Sequence, residues 1–148
     1  MNPEYVAENT ASRLELQKLI DSLSDAELEC PIGSGRTVAT LLCHLAFWDQ
    51  RIAHALKEWQ RSGIEPSHIS TKTMDSINHA ITFLAQAVPG RVAAELALES
   101  AEMLDRELEQ LDSTFADQVK AAGFERMLRR SVHRHAHLDQ MRLAKSAA

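Results

Sequence analysis

Cysteine, proline, glycine and aromatic residues are all scarce in this chain, and each scarcity removes a class of protein. The two cysteines, Cys30 and Cys43, cannot make the disulfide framework of a small secreted scaffold. Five glycines, four prolines and an aromatic content of 5% leave few chain breakers and are the composition of a helical bundle. No apolar run approaches the ~20 residues needed to span a bilayer, and the N-terminus lacks the apolar core of a signal peptide. Basic residues are not in surplus either. The net charge is −5 with a pI near 5.8, whereas nucleic-acid binders usually carry a basic patch. The expectation is a cytoplasmic protein with no nucleic-acid or membrane partner.

What is present is helix-forming. Ala, Leu, Glu and Arg are abundant, hydrophobic residues make up 45%, and no segment alternates Val, Ile and Thr as a strand would. With 148 residues the chain predicts one domain, 1–148, able to bury a proper core. A first helix is predicted from about Pro3 to Leu23, with Val6, Leu14, Leu16, Leu19, Ile20 and Leu23 as candidate core positions. Ser24-Asp25-Ala26-Glu27 has the form of a capping box that begins one short turn. Cys30-Pro31-Ile32-Gly33-Ser34-Gly35 breaks the chain. The next helix runs from Arg36 or Thr37 to just before Gly63, its apolar residues Val38, Leu41, Leu42, Leu45, Trp48, Ile52, Leu56 and Trp59 spaced in helical steps. A shorter helix follows over Thr71–Val88, then one over Val92–Leu111. A last helix is expected from Asp117 or Ala121 to Lys145, loosened at Gly123. The prediction is all-α: a four-helix bundle with one additional short helix and short connections.

Chemistry is concentrated near the C-terminus, where Arg130-Ser131-Val132-His133-Arg134-His135-Ala136-His137 places three of the seven histidines within five positions. A helix advances about 100° per residue, so His133 and His137 share a face and His135 points away. His44 lies at the edge of the apolar stripe of the long second helix, and if the two faces meet, three imidazoles converge. Such a donor set leaves a divalent cation an open position, as catalytic rather than structural sites do. Against this stands the ordinary explanation: an i, i+4 histidine pair arises by chance in a chain with seven histidines, and a polar helix stripe is commonly solvated. The pair is not a zincin motif, because Arg134 occupies the position of the catalytic Glu. His54, His68, His79 and His135 read as surface or hydrogen-bonded histidines. Arg51 and Arg130 could attract an anionic substrate, although a solvated face is the simpler use of each. Trp48 could wall a pocket or pack in the core. Asp49 projects well away from His44 and reads as structural.

Two stretches carry a family resemblance. Thr37-Val38-Ala39-Thr40-Leu41-Leu42-Cys43-His44-Leu45-Ala46-Phe47-Trp48 resembles the second-helix motif of the DinB/YfiT-like family. His133-Arg134-His135-Ala136-His137-Leu138-Asp139-Gln140-Met141 resembles its closing motif, and Ile77-Asn78 fits a branch of the family with Asn at that point. The resemblance implies an up-down-down-up bundle, often dimeric, holding a divalent metal, zinc or nickel among others, on His44, His133 and His137. Family members of known activity include transferases and isomerases dependent on low-molecular-weight thiols, and hydrolases that protect against reactive metabolites. The expected reaction is therefore activation of water or a thiol for attack on a small-molecule substrate, with Trp48, Arg51 and Arg130 as substrate contacts. A non-catalytic metal- or small-molecule-binding bundle is the alternative. The chain departs from the family pattern twice: Arg36 stands where an aromatic residue often precedes the Thr-Val pair, and Ala136 where an acidic residue often precedes the last histidine.

Overall fold

A computed structural model describes residues 1–147. Its helices are α1 (Pro3–Ser22), α2 (Asp25–Leu28), α3 (Val38–Ser62), α4 (Thr71–Ala85), α5 (Gly90–Glu109), α6 (Ser113–Ala121), α7 (Glu125–Leu128) and α8 (Ser131–Ala147). The four long helices α1, α3, α5 and α8 make the bundle. Its directions follow from the side-chain pairs that join them. Gln50 meets Ser100 and Lys57 meets Glu107, so α3 and α5 run parallel. Glu8 meets Arg129 and Glu15 meets Arg142, so α1 and α8 do too. Arg13 bonds Asp105 while Arg91 reaches the Leu23 carbonyl, which sets α1 against α5. The topology is up-down-down-up, as the resemblance implies. Parallel neighbours need a return segment, and α4 supplies it, lying against α3 and carrying the chain back to the start of α5.

Local chemistry sets the helix ends. Ser24 and Glu27 form the expected capping box. Thr37 and Thr40 form another at the start of α3, which fixes the phase of the helix bearing His44. Gly63 closes α3 in the left-handed conformation at φ 72°. A two-strand ribbon, β1 (Pro31–Gly33) with β2 (Arg36–Thr37), precedes α3. The composition gave no hint of it, because ladder pairing this short is made by the Ser34–Gly35 turn and not by β-forming residues.

The apolar core lies in two halves. One gathers Leu16, Ile20, Leu41, Leu45, Leu138 and Met141; the other gathers Tyr5, Ile52, Trp59, Leu104, Val119 and Leu128. Between them sits a buried polar waist of Asn9, Ser12, Asp49, Ser100, Asp105, Arg130, Ser131 and Arg134. Among the described residues no helix is long and apolar enough to cross a membrane.

Three sequence expectations change. Leu14 is 57% exposed and Val6 only half-buried, so neither belongs to the core of α1. The single last helix is in fact α6, α7 and α8. Gly123 ends α6 in the left-handed conformation at φ 86°, which a residue with a side chain adopts only under strain. The second break, before Ser131, has no glycine or proline. It is held from outside by Asn9, whose Nδ2 donates to the Leu128 carbonyl at 2.9 Å while its Oδ1 accepts from the Ser131 N–H at 3.0 Å. A side chain of α1 thus caps α8, and such a cap leaves no local trace in sequence.

Candidate metal centre

Because α8 runs against α3, His133 and His137 come to face His44. Nε2 of His44 and of His133 are 3.2 Å apart, and Nε2 of His133 and of His137 are also 3.2 Å apart. One ligand atom from each lies within 4.8 Å of the others. The three rings are tilted or edge-on to one another rather than stacked, so their nitrogens and not their faces point inward.

Burial keeps these rings neutral. It is the main cause pushing His44 down to about 3, with His137, Arg36 and Arg130 adding to the effect. His133 is lowered by burial first, then by the adjacent Arg130 charge. His137 is lowered by burial, against a hydrogen bond that its ring donates to Gln140, which acts the other way. Uncharged imidazoles keep the lone pairs a cation needs. Two of the three spacings fit as well: nitrogens about 2.0–2.1 Å from one tetrahedral ion lie about 3.3 Å apart, close to the 3.2 Å that His133 Nε2 keeps to each of the other two.

The outer contacts of the rings differ. His137 Nδ1 meets Gln140 Oε1 at 2.9 Å, the ordinary arrangement in which the far N–H of a ligating imidazole donates to an acceptor. His133 does the reverse. Arg130 Nη2 lies 2.7 Å from its Nδ1, and a guanidinium can only donate. The His133 proton therefore sits on Nε2, facing the other two histidines, and for a cation to share that nitrogen the proton has to move to Nδ1, which releases the Arg130 contact. The donor set fits a divalent ion on this condition.

Arg130 is buried and its Nε donates to Asp49 Oδ1 at 2.9 Å. Asp49 also meets Arg134 Nη2 at 3.3 Å, and Arg134 grips Asp105 through both terminal nitrogens at 2.8 and 3.0 Å. This is the polar waist, and it holds Arg130 against His133. Asp49 is structural, as its angle on α3 suggested.

Beside the histidines opens a cavity of about 580 Å³, within the usual range for small-molecule sites. All the proposed substrate contacts, Trp48, Arg51 and Arg130, line it. The Trp48 indole donates to Asn78 Oδ1 at 2.9 Å, which holds the ring between α3 and α4, and Arg51 lies 5.6 Å from that ring's centroid. Ala136, standing where an acidic residue was expected, is also on the wall. Asp139 pairs with Arg142 on the surface instead of replacing that carboxylate.

Two contributors were not anticipated. Arg36, carried in on β2, lines the cavity near His44 and His137. His68, from the 63–70 loop, stacks on Phe124 with ring centroids 4.0 Å apart and hydrogen-bonds the Ala122 carbonyl, strapping the loop over the cavity edge. Neither residue lies in a periodic segment, so no pattern pointed inward. His54, His79 and His135 are exposed.

No curated protein and no solved structure matches the chain. A family does. The match runs over residues 8–147, from within α1 to the end of α8, and so takes in every helix that builds the centre. This chain belongs to the DinB superfamily.

Proposed function

We propose that this protein is a divalent-metal-dependent enzyme that activates water or a low-molecular-weight thiol for attack on a small molecule bound in the cavity. The observation that carries this reading is the meeting of three neutral imidazoles, from two helices, at the wall of a cavity large enough for a substrate. Zinc or nickel on His44, His133 and His137 would supply Lewis acidity, lowering the pKa of a coordinated water or thiol towards neutrality. The chain's own groups do the rest. Gln140 orients His137, Asp49 holds the Arg130 charge beside His133, and Trp48 with its Asn78 partner forms an apolar wall that limits water. No carboxylate lines the cavity among the described residues, so a proton released by the nucleophile goes to solvent or to the substrate. A homodimer belongs to the same reading, by family resemblance. A sedimentation mass near 16.5 kDa would count against it.

Metal analysis of protein purified without a histidine tag tests the centre. The wild type should retain one divalent ion per chain and His44→Ala should lose it; retention by the variant would sink the three-histidine site. Reaction class is read by assaying electrophiles with and without added thiol. Turnover that needs the thiol identifies a transferase, and turnover without it a hydrolase. A metal-loaded protein with neither activity would favour a binding module.

A further inference from the structure

Five arginines line the cavity in a chain whose net charge is −5. Two of them are already neutralised: Arg129 is gripped by Glu8 at 2.6 and 2.8 Å, and Arg130 by Asp49 at 2.9 Å. The other three, Arg36, Arg51 and Arg126, have no carboxylate partner among the described residues, and no Asp or Glu lines the cavity among them. An uncompensated positive field inside a partly apolar hole attracts and holds an anion more strongly than the same charges would in open water.

Arg36 is the one placed for chemistry. Its charge acts on both His44 and His137, so it lies beside the centre, whereas Arg51 leans on Trp48. Its side chain is half-buried, and its Nε is shut off from solvent with no hydrogen-bond partner. A guanidinium nitrogen buried and unpaired is costly to keep, and the cost falls when an anion is brought up to the same group. The backbone holding it is well defined. Arg36 is paired with Gly33 in the ribbon, the Val38 N–H reaches the Cys30 carbonyl at 3.1 Å, and the Thr37 cap begins α3 one residue later. A planar fork on a fixed stem matches a carboxylate. The remaining wall, with Trp48, Phe124 and Met127 among its members, offers apolar surface to whatever carries that carboxylate.

We propose that Arg36 anchors the carboxylate of an organic substrate with an apolar body, holding it in the cavity next to His44 and His137. This rests on the reading that the histidines and the cavity form one site, and it assigns that site its substrate class.

The test is calorimetric titration of the full chain, stripped of metal by chelation, with phenylacetate, its neutral analogue phenylacetamide, and inorganic phosphate. The wild type should bind phenylacetate about tenfold or more tightly than phenylacetamide. Arg36→Leu should abolish that preference while leaving phenylacetamide affinity unchanged, and Arg36→Lys should keep only part of it. Equal affinity for acid and amide, no measurable binding of phenylacetate, or a preference that survives Arg36→Leu overturns the proposal. Phosphate binding as tightly as phenylacetate overturns the claim of an apolar body. Should Arg36→Leu fail to fold, the wild-type comparison and Arg36→Lys still decide the matter. A parallel zinc titration separates the two readings: acid preference without zinc binding sinks the metal centre alone, and zinc binding without acid preference sinks the Arg36 anchor alone.

Discussion

On one side of α8, Arg134 is fully buried and bonded to Asp105, Asp49 and the Asn9 carbonyl. On the other, His133 Nε2 lies 3.2 Å from the Nε2 of His44 and of His137, a group that could share an ion. Both groups are buried and polar, and they are adjacent in sequence, yet their chemistry is opposite. The arginine cluster closes on itself in charge: each charge meets a counter-charge inside the protein, Arg13 adds to Asp105 from the edge, and Arg134 Nε is left without a hydrogen-bond partner among the described residues. The histidines are held from behind by Arg130 and Gln140 but turn their Nε2 atoms to one another, at the wall of a cavity. Buried polarity that satisfies itself holds a fold together, and buried polarity left facing a hole is prepared for something else.

Removing Arg134 should show the structural side most strongly. Arg134→Leu leaves Asp49 and Asp105 with less compensation in the waist, and a loss of about 3–5 kcal/mol is expected in urea unfolding. A loss under about 1 kcal/mol would mean that the network is not what joins the two halves of the core. The second effect comes from the histidines. His44 titrates at about 3 when folded, against 6.5 as the ordinary value. Between those values the unfolded chain binds the proton and the native chain does not. Stability of the metal-free protein should therefore be full above pH 6.5 and fall as the pH drops towards 3, by roughly 3 kcal/mol from His44 alone between pH 6.5 and 4. His44→Gln should flatten that part of the curve; identical slopes in the two proteins would contradict a neutral, buried His44. The smallest effect is expected at Gln140, which is exposed and touches His137. Gln140→Ala should weaken zinc binding about tenfold and leave urea stability within about 0.5 kcal/mol. If stability moves and zinc affinity does not, Gln140 belongs to the structural side.

The histidine side of this contrast was legible in the sequence and the arginine side was not. Helical spacing puts His133 and His137 on one face and His44 at the edge of an apolar stripe, and the family resemblance joined the three into one ligand set. Arg134 and Asp49 carry charges that ordinarily face water. Their burial depends on partners 85 and 29 positions away from Arg134, which no local pattern encodes. Arg130 was read as a substrate contact for the same reason; it reaches the cavity wall with its charge already committed to Asp49. The bundle could be anticipated because helix periodicity is local, and its up-down-down-up order because the family resemblance implied it. The break before α8 could not, since the residue that makes it is Asn9, on another helix. Arg36 was visible only as a departure from the family's aromatic, and its meaning emerged with the cavity.

The two tryptophans divide along the same line, and this gives the protein a pair of internal probes. Trp48 sits at the cavity with its ring centroid 6.4 Å from that of His44. Trp59 is 2% exposed, packed edge-on against Phe115 and Phe124 in the far half of the core. Emission from Trp48 will respond to whatever enters the cavity, and emission from Trp59 to whether that half of the bundle is intact. With Trp48→Phe and Trp59→Phe in hand, occupancy and unfolding become two separate optical signals from one small chain, without an added label.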